Sequence, residues 1–167
     1  VEAIPGNGSV SFFGDVAQQI YGSRITWRSA GFQPIKIWNF EENYRNTKEI
    51  AELGLAIAKL PFYKDVPDMV EPKFPKASGP KPTLVQFEDE AKELDTILTT
   101  AIDQGKTQTV AILVRDRETV NNITNYLRLK IPRVQELHGE MGSWNANPGI
   151  SVGTYHSAKG LEFDTVI

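Results

Sequence analysis

A histidine, a serine, a lysine, a glycine and a glutamate fall within seven residues of one another in TYHSAKGLEFDTVI, residues 154–167. These types suit phosphate chemistry. An ammonium beside a glycine lets a cation and backbone N–H groups approach phosphate oxygens, and Glu162 can accept from a hydroxyl. A solvated loop of ordinary turn residues would carry the same letters, and for a lone Lys-Gly pair that plainer reading is the stronger. A second group, Tyr44-Arg45, joins a ring that can stack on a nucleotide to a guanidinium fork suited to phosphate oxygens. Its plain alternative is a surface Tyr-Arg pair. A third group, Gln18, Gln19, Tyr21 and Arg24, lies in a polar stretch where Asp15 can cap a turn and Tyr21 can simply pack its ring.

Periodicity predicts the elements that must position these residues. Residues 150–155 alternate as a strand, so the Lys-Gly loop sits at a strand's carboxyl end, where open α/β sheets bind ligands. A second apolar run, 164–167, follows it. Residues 35–38 alternate ahead of Tyr44-Arg45. The next helix has Asn46 as N-cap, Glu49 three residues on, and Ile50, Leu53, Ile57 and Leu60 on one face, with Pro61 as its stop. Tyr44 and Arg45 thus precede a helix N-terminus, a natural place for an anion. Residues 10–13 (VSFF) read as a short buried strand ended by Gly14-Asp15.

Further along, residues 83–87 are a strand and 89–104 a helix. That helix turns Ala91, Leu94, Leu98 and Ala101 or Ile102 inward and stops at Gly105. Residues 109–114 (TVAILV) form a near-continuous apolar strand of the kind a parallel sheet buries. Asp116 caps a helix with Val120, Ile123 and Leu127 on its apolar face, ending near Pro132, and 134–137 make a further strand. The fold class is therefore α/β, a parallel sheet with helices on both faces. Between 61 and 82, six prolines preclude a regular helix or central strand. That stretch reads as an extended surface loop anchored by Phe62, Tyr63 and Phe74, with no legible function. A Gly/Asn-rich loop covers 139–149, and His138 stands alone as a structural or solvent-facing residue.

With 167 residues the chain can bury about 70% of its unfolded surface. Its 40% hydrophobic and 23% charged residues are those of a soluble globular protein. No run approaches the roughly 18 apolar residues of a membrane span. Without cysteine there is no disulfide framework and no thiolate metal site, which points to a cytoplasmic protein with no metal of its own. A net charge of −3 argues against a free-standing nucleic-acid binder while allowing a groove lined locally by cations.

Three segments in order carry a family resemblance. T-x-H-x-x-K-G-L-E-F at 154–163 resembles motif V of the UvrD/Rep group of superfamily 1 helicases. GDVAQQIYGSR at 14–24 is similar to motif III, and ENYRNTKEI at 42–50 to motif IV. Ser23 departs from the pattern, which has an aromatic there; Trp27 is the nearby ring that could replace it. The resemblance implies a truncated RecA-like fold. Residues 1–34 would be the tail end of the first RecA-like domain, and 35–167 the second, with the Pro-rich loop at 61–82. Only a short loop stands where larger relatives carry an inserted domain before motif V, which implies a shorter-built member.

What the resemblance implies for function is an ATP-dependent helicase or translocase on single-stranded DNA, moving 3′ to 5′ and serving processes such as DNA repair. Gln18 would sense the γ-phosphate and Tyr44 would stack on adenine. Arg45 would act as an arginine finger, with Gly160 and Glu162 also at the nucleotide. Tyr21, Arg24, Thr154 and His156 would meet the strand, with Ser157 and Lys159 adding phosphate contacts. ATP and Mg²⁺ are the implied cofactors. Because the sequence lacks G-x-x-x-x-G-K-[ST] and an acidic pair after a strand, the rest of the helicase chain would hold most of both. This stretch alone is then expected to be inactive. Alternatives are a motor subunit of an ATP-dependent nuclease, an RNA-polymerase-displacing factor, or a non-enzymatic nucleic-acid-binding module.

Overall fold

Valine, isoleucine and leucine crowd the segments that form the sheet, because a parallel strand covered on both sides has no polar face to offer. The structure, a computed structural model, describes residues 11–15, 25–31, 38–61, 70–71, 73–138 and 147–167. The chain divides into two units, Val1–Leu84 and Val85–Ile167. The 34/35 boundary expected from the sequence falls at residues 32–37, outside the described ones.

The second unit holds the sheet. Its elements are α2 (Glu90–Gln104), β1 (Thr109–Val114), α3 (Arg117–Arg128), β2 (Val134–Glu136), β3 (Gly149–Thr154) and β4 (Thr165–Val166). All strand pairs are parallel and the order is β2-β3-β1-β4. The α/β parallel sheet expected from the sequence is therefore present. Register aligns Val110 with Ile150 and Ile112 with Val152, which puts these four on one face. They share a core with Leu98 and Ala101 of α2 and Val120, Ile123 and Leu127 of α3. The crossover from β1 through α3 to β2 passes β3, which is inserted between those strands.

The Asp116 cap works as expected, and Asp89, expected inside its helix, stands as that helix's cap. Asp89 caps α2 by accepting from the Lys92 N–H at 2.8 Å, and Asp116 caps α3 by accepting from the Thr119 N–H at 2.9 Å. Gly105 ends α2 as expected, without a left-handed turn. Its φ is −63°, and a Cβ there would meet Ile150 Cγ1 at 2.8 Å and the Ala101 carbonyl oxygen at 2.9 Å. Close approach, not backbone freedom, requires glycine.

Two segments differ from expectation. Residues 83–87 are irregular, with Leu84 100% exposed and Val85 62%. An alternating sequence becomes a strand only where an edge is free to pair with it, and no ladder partner reaches this one among the described residues. Residues 11–13 likewise lie exposed and outside any strand, Phe13 touching Phe40 with ring centroids 6.4 Å apart. Val10 and 35–37 lie outside the described residues, while Trp38 is irregular and exposed.

The first unit contains α1, Lys48–Ala58. Thr47, not Asn46, is its N-cap residue, and the Thr47 side chain makes no capping bond. The helix ends at Ala58, two residues before the expected Leu60, since the residue ahead of Pro61 is disfavoured in helical backbone. None of its residues is buried.

Candidate nucleotide and nucleic-acid site

The loop after β3 is built by two hydroxyls. Thr154, buried at the strand's end, accepts from the Ser157 N–H at 3.2 Å, and the Thr154 and Ser157 hydroxyls lie 2.9 Å apart. The Ala158 N–H donates to the Thr154 carbonyl at 3.1 Å, and Ala158 tucks in as a buried foot. Gly160 then turns the chain with φ +83°, a left-handed value that a side chain resists. His156, Lys159 and Gly160 are left exposed and Ser157 half-buried. Glu162, also exposed, follows on the extended return toward β4. Thus Thr154, His156, Ser157, Lys159, Gly160 and Glu162 all lie on one connection, leaving the sheet at its carboxyl edge.

The far end of the same connection is fastened by a pair that sequence reading missed. Asp164 Oδ2 accepts from both the N–H and the hydroxyl of Thr109 at 2.8 Å, and the Asp164 N–H donates to Thr109 Oγ1 at 2.9 Å. These donors hold the Asp164 carboxyl below the ordinary aspartate range. Fifty-five residues separate the partners, so no local signal announces the clamp.

Tyr44 and Arg45 belong to the first unit. Asn43 Oδ1 accepts from the Arg45 N–H at 3.3 Å and the Asn46 N–H at 3.4 Å, a side chain standing in for a backbone turn. This bend presents Tyr44 85% exposed, with Arg45 exposed beside it. An asparagine two residues before the arginine was the available signal for Asn43. The helix start that follows is less open to an anion than expected. The Lys48 N–H already donates to the Ala77 carbonyl at 2.8 Å. The Glu49 carboxylate, held below its usual range first by the Gly79 N–H, puts a negative charge in the first turn.

Gln18, Tyr21 and Arg24, with Ser23, lie outside the described residues, as does most of the 139–149 loop. His138 is exposed. Among the described residues no group of metal-ligating side chains converges, and no helix is long and apolar enough to cross a membrane.

Comparison with curated proteins and with solved structures gave no match. The UvrD-like helicase C-terminal domain, by contrast, matches residues 38–134, more than half of the chain. That span includes the Asn43–Arg45 bend, α1, α2, β1 and α3, while the 14–24 and 154–163 motifs lie outside it. A helicase-type parallel α/β core with an exposed Tyr-Arg bend ahead of its first helix agrees with that match: the chain belongs to the family of UvrD-like helicase C-terminal domains.

Proposed function

We propose that this chain supplies one half of an ATP site and part of the strand-binding surface of a DNA helicase or translocase that acts on single-stranded DNA and moves 3′ to 5′. The observation that carries the reading is the Asn43-held bend, which exposes a stackable ring and a guanidinium side by side within the matched family region. Bound ATP, with Mg²⁺, would supply the phosphoryl group whose hydrolysis drives movement. Arg45 would place its fork against γ-phosphoryl oxygens, and Tyr44 would offer a ring face to adenine. Gly160 and Glu162 would add a close backbone approach and an acceptor, and Gln18 would sense the γ-phosphate from the first RecA-like domain. Tyr21, Arg24, His156, Ser157 and Lys159 would meet the strand. Thr154 contributes chiefly by shaping the loop, since its hydroxyl is engaged by Ser157. The rest of the helicase chain would cradle the β- and γ-phosphates and the Mg²⁺, because no Gly-rich phosphate loop occurs here.

ATP turnover by the complete protein, measured with and without single-stranded DNA, tests this reading. Turnover should rise with the strand, and Arg45→Ala should lower it by roughly 10³–10⁵ with ATP binding near normal. Wild-type turnover in Arg45→Ala would remove the arginine-finger assignment. No turnover in a folded parent would favour a binding module.

A further inference from the structure

The Pro-rich stretch, whose purpose is not legible in the sequence, meets the Asn43–Asn46 bend from both flanks. On the preceding flank the Lys73 N–H donates to the Glu41 carbonyl at 2.7 Å. Lys73 Nζ reaches Glu42 Oε1 at 3.1 Å and Glu41 Oε2 at 3.4 Å. On the following flank the Ala77 carbonyl accepts from the Lys48 N–H at 2.8 Å, and the Gly79 N–H donates to Glu49 Oε2 at 2.8 Å. Gly79 lies so near that a Cβ would sit 2.7 Å from Thr47 Cγ2. Pro75, midway between the two flanks, is buried.

We propose that residues 73–79 are a strap that positions Arg45 for catalysis. This rests on Arg45 being the arginine finger. Within the bend, Asn43 contributes two long contacts, at 3.3 and 3.4 Å, each weak as a hydrogen bond. A reacting arginine displaced by about 1 Å can lose on the order of a hundredfold in rate, which makes external bracing worth building. The exposed Lys73 ion pairs contribute little by themselves. The part-buried bond from the Gly79 N–H to the Glu49 carboxylate is the stronger tie, because its acceptor is charged. Glu49 is thus a positioning residue that acts through the strap.

The test is single-stranded-DNA-stimulated ATP turnover by the complete helicase carrying Glu49→Ala, Glu49→Gln, Arg45→Ala, or Glu49→Ala with Arg45→Ala. Glu49→Ala should lower kcat between about tenfold and a hundredfold while KM for ATP stays within about twofold. Glu49→Gln should retain most activity, since its amide oxygen still accepts from Gly79. The double variant should be no slower than Arg45→Ala alone. Gly79→Val, which drives a side chain against Thr47 and so loosens the same tie from the strap's side, should reproduce the kcat loss. Full activity in both Glu49→Ala and Gly79→Val, with Arg45→Ala impaired, would overturn the strap and leave the arginine finger standing. Additive losses in the double variant would also overturn it, because Glu49 would then act independently of Arg45. Wild-type turnover in Arg45→Ala would instead remove the reading on which the strap depends.

Discussion

Helix α3 buries Val120, Ile123 and Leu127, whereas α1, one residue shorter, leaves Ile50, Leu53 and Ile57 between 46 and 47% exposed. Both helices carry apolar residues at helical spacing, so the pattern alone does not separate them. The difference lies in what each meets. Three parallel strands stand behind α3, brought together from positions as far apart as 109 and 154. In the first unit no strand occurs among the described residues, and α1 is tied instead by hydrogen bonds to residues 77 and 79. An apolar stripe chooses a face. It does not supply the partner.

Substitution should expose this contrast most strongly at Leu127. Leu127→Ala is expected to destabilise the chain by about 2–5 kcal/mol, read from urea unfolding with amide exchange in β1 as the probe. A loss under about 1 kcal/mol would mean that α3 is no better covered than α1.

A smaller effect of opposite sign should come from Thr124, fully buried on the same helix with a hydroxyl that has no partner. Thr124→Val keeps the shape and removes the unsatisfied group, so stability should rise by about 1 kcal/mol in the same assay. A fall would show that the hydroxyl is satisfied in solution.

Acid should then loosen the Asp164–Thr109 clamp. Its folded-state pKa lies below the ordinary 3.8. The clamp's contribution is therefore fully present above that value and lost as pH falls through the lower folded one. Unfolding midpoints followed from about pH 5 to pH 2 should fall less steeply in Asp164→Ala than in the parent. Parallel curves would show that the clamp does not titrate with folding.

The smallest change is expected on α1, where Leu53→Ala should cost about 1 kcal/mol or less, its side chain being only half covered. A cost matching that of Leu127→Ala would show that α1 has a buried partner in solution and erase the contrast.

Much of the second unit was legible because its signals are local. Asp116 caps the helix it precedes, TVAILV has the composition of a doubly covered strand, and the Lys-Gly loop follows a strand as its alternation implied. The first unit was harder to read. Asn46 resembles a cap, but Asn43 takes its N–H, and the helix begins one residue later. TLVQF, which straddles the boundary between the units, alternates like a strand and joins no ladder among the described residues. Such errors share a cause: propensity describes what a segment can do, and long-range neighbours select among the possibilities.

By itself the sequence determined the parallel α/β class, the Asp116 cap, the core face of α3 and the residue types that suit a nucleotide and a strand. These depend on spacing within a few residues, where hydrogen-bond reach and side-chain periodicity are set by the backbone. Tertiary structure alone decided that Thr109 clamps Asp164, that a glycine is needed beside Ile150, and that residues 73–79 hold both flanks of the Arg45 bend. Each of these contacts joins segments about 30 to 55 residues apart, and nothing local records such a meeting before the chain has folded.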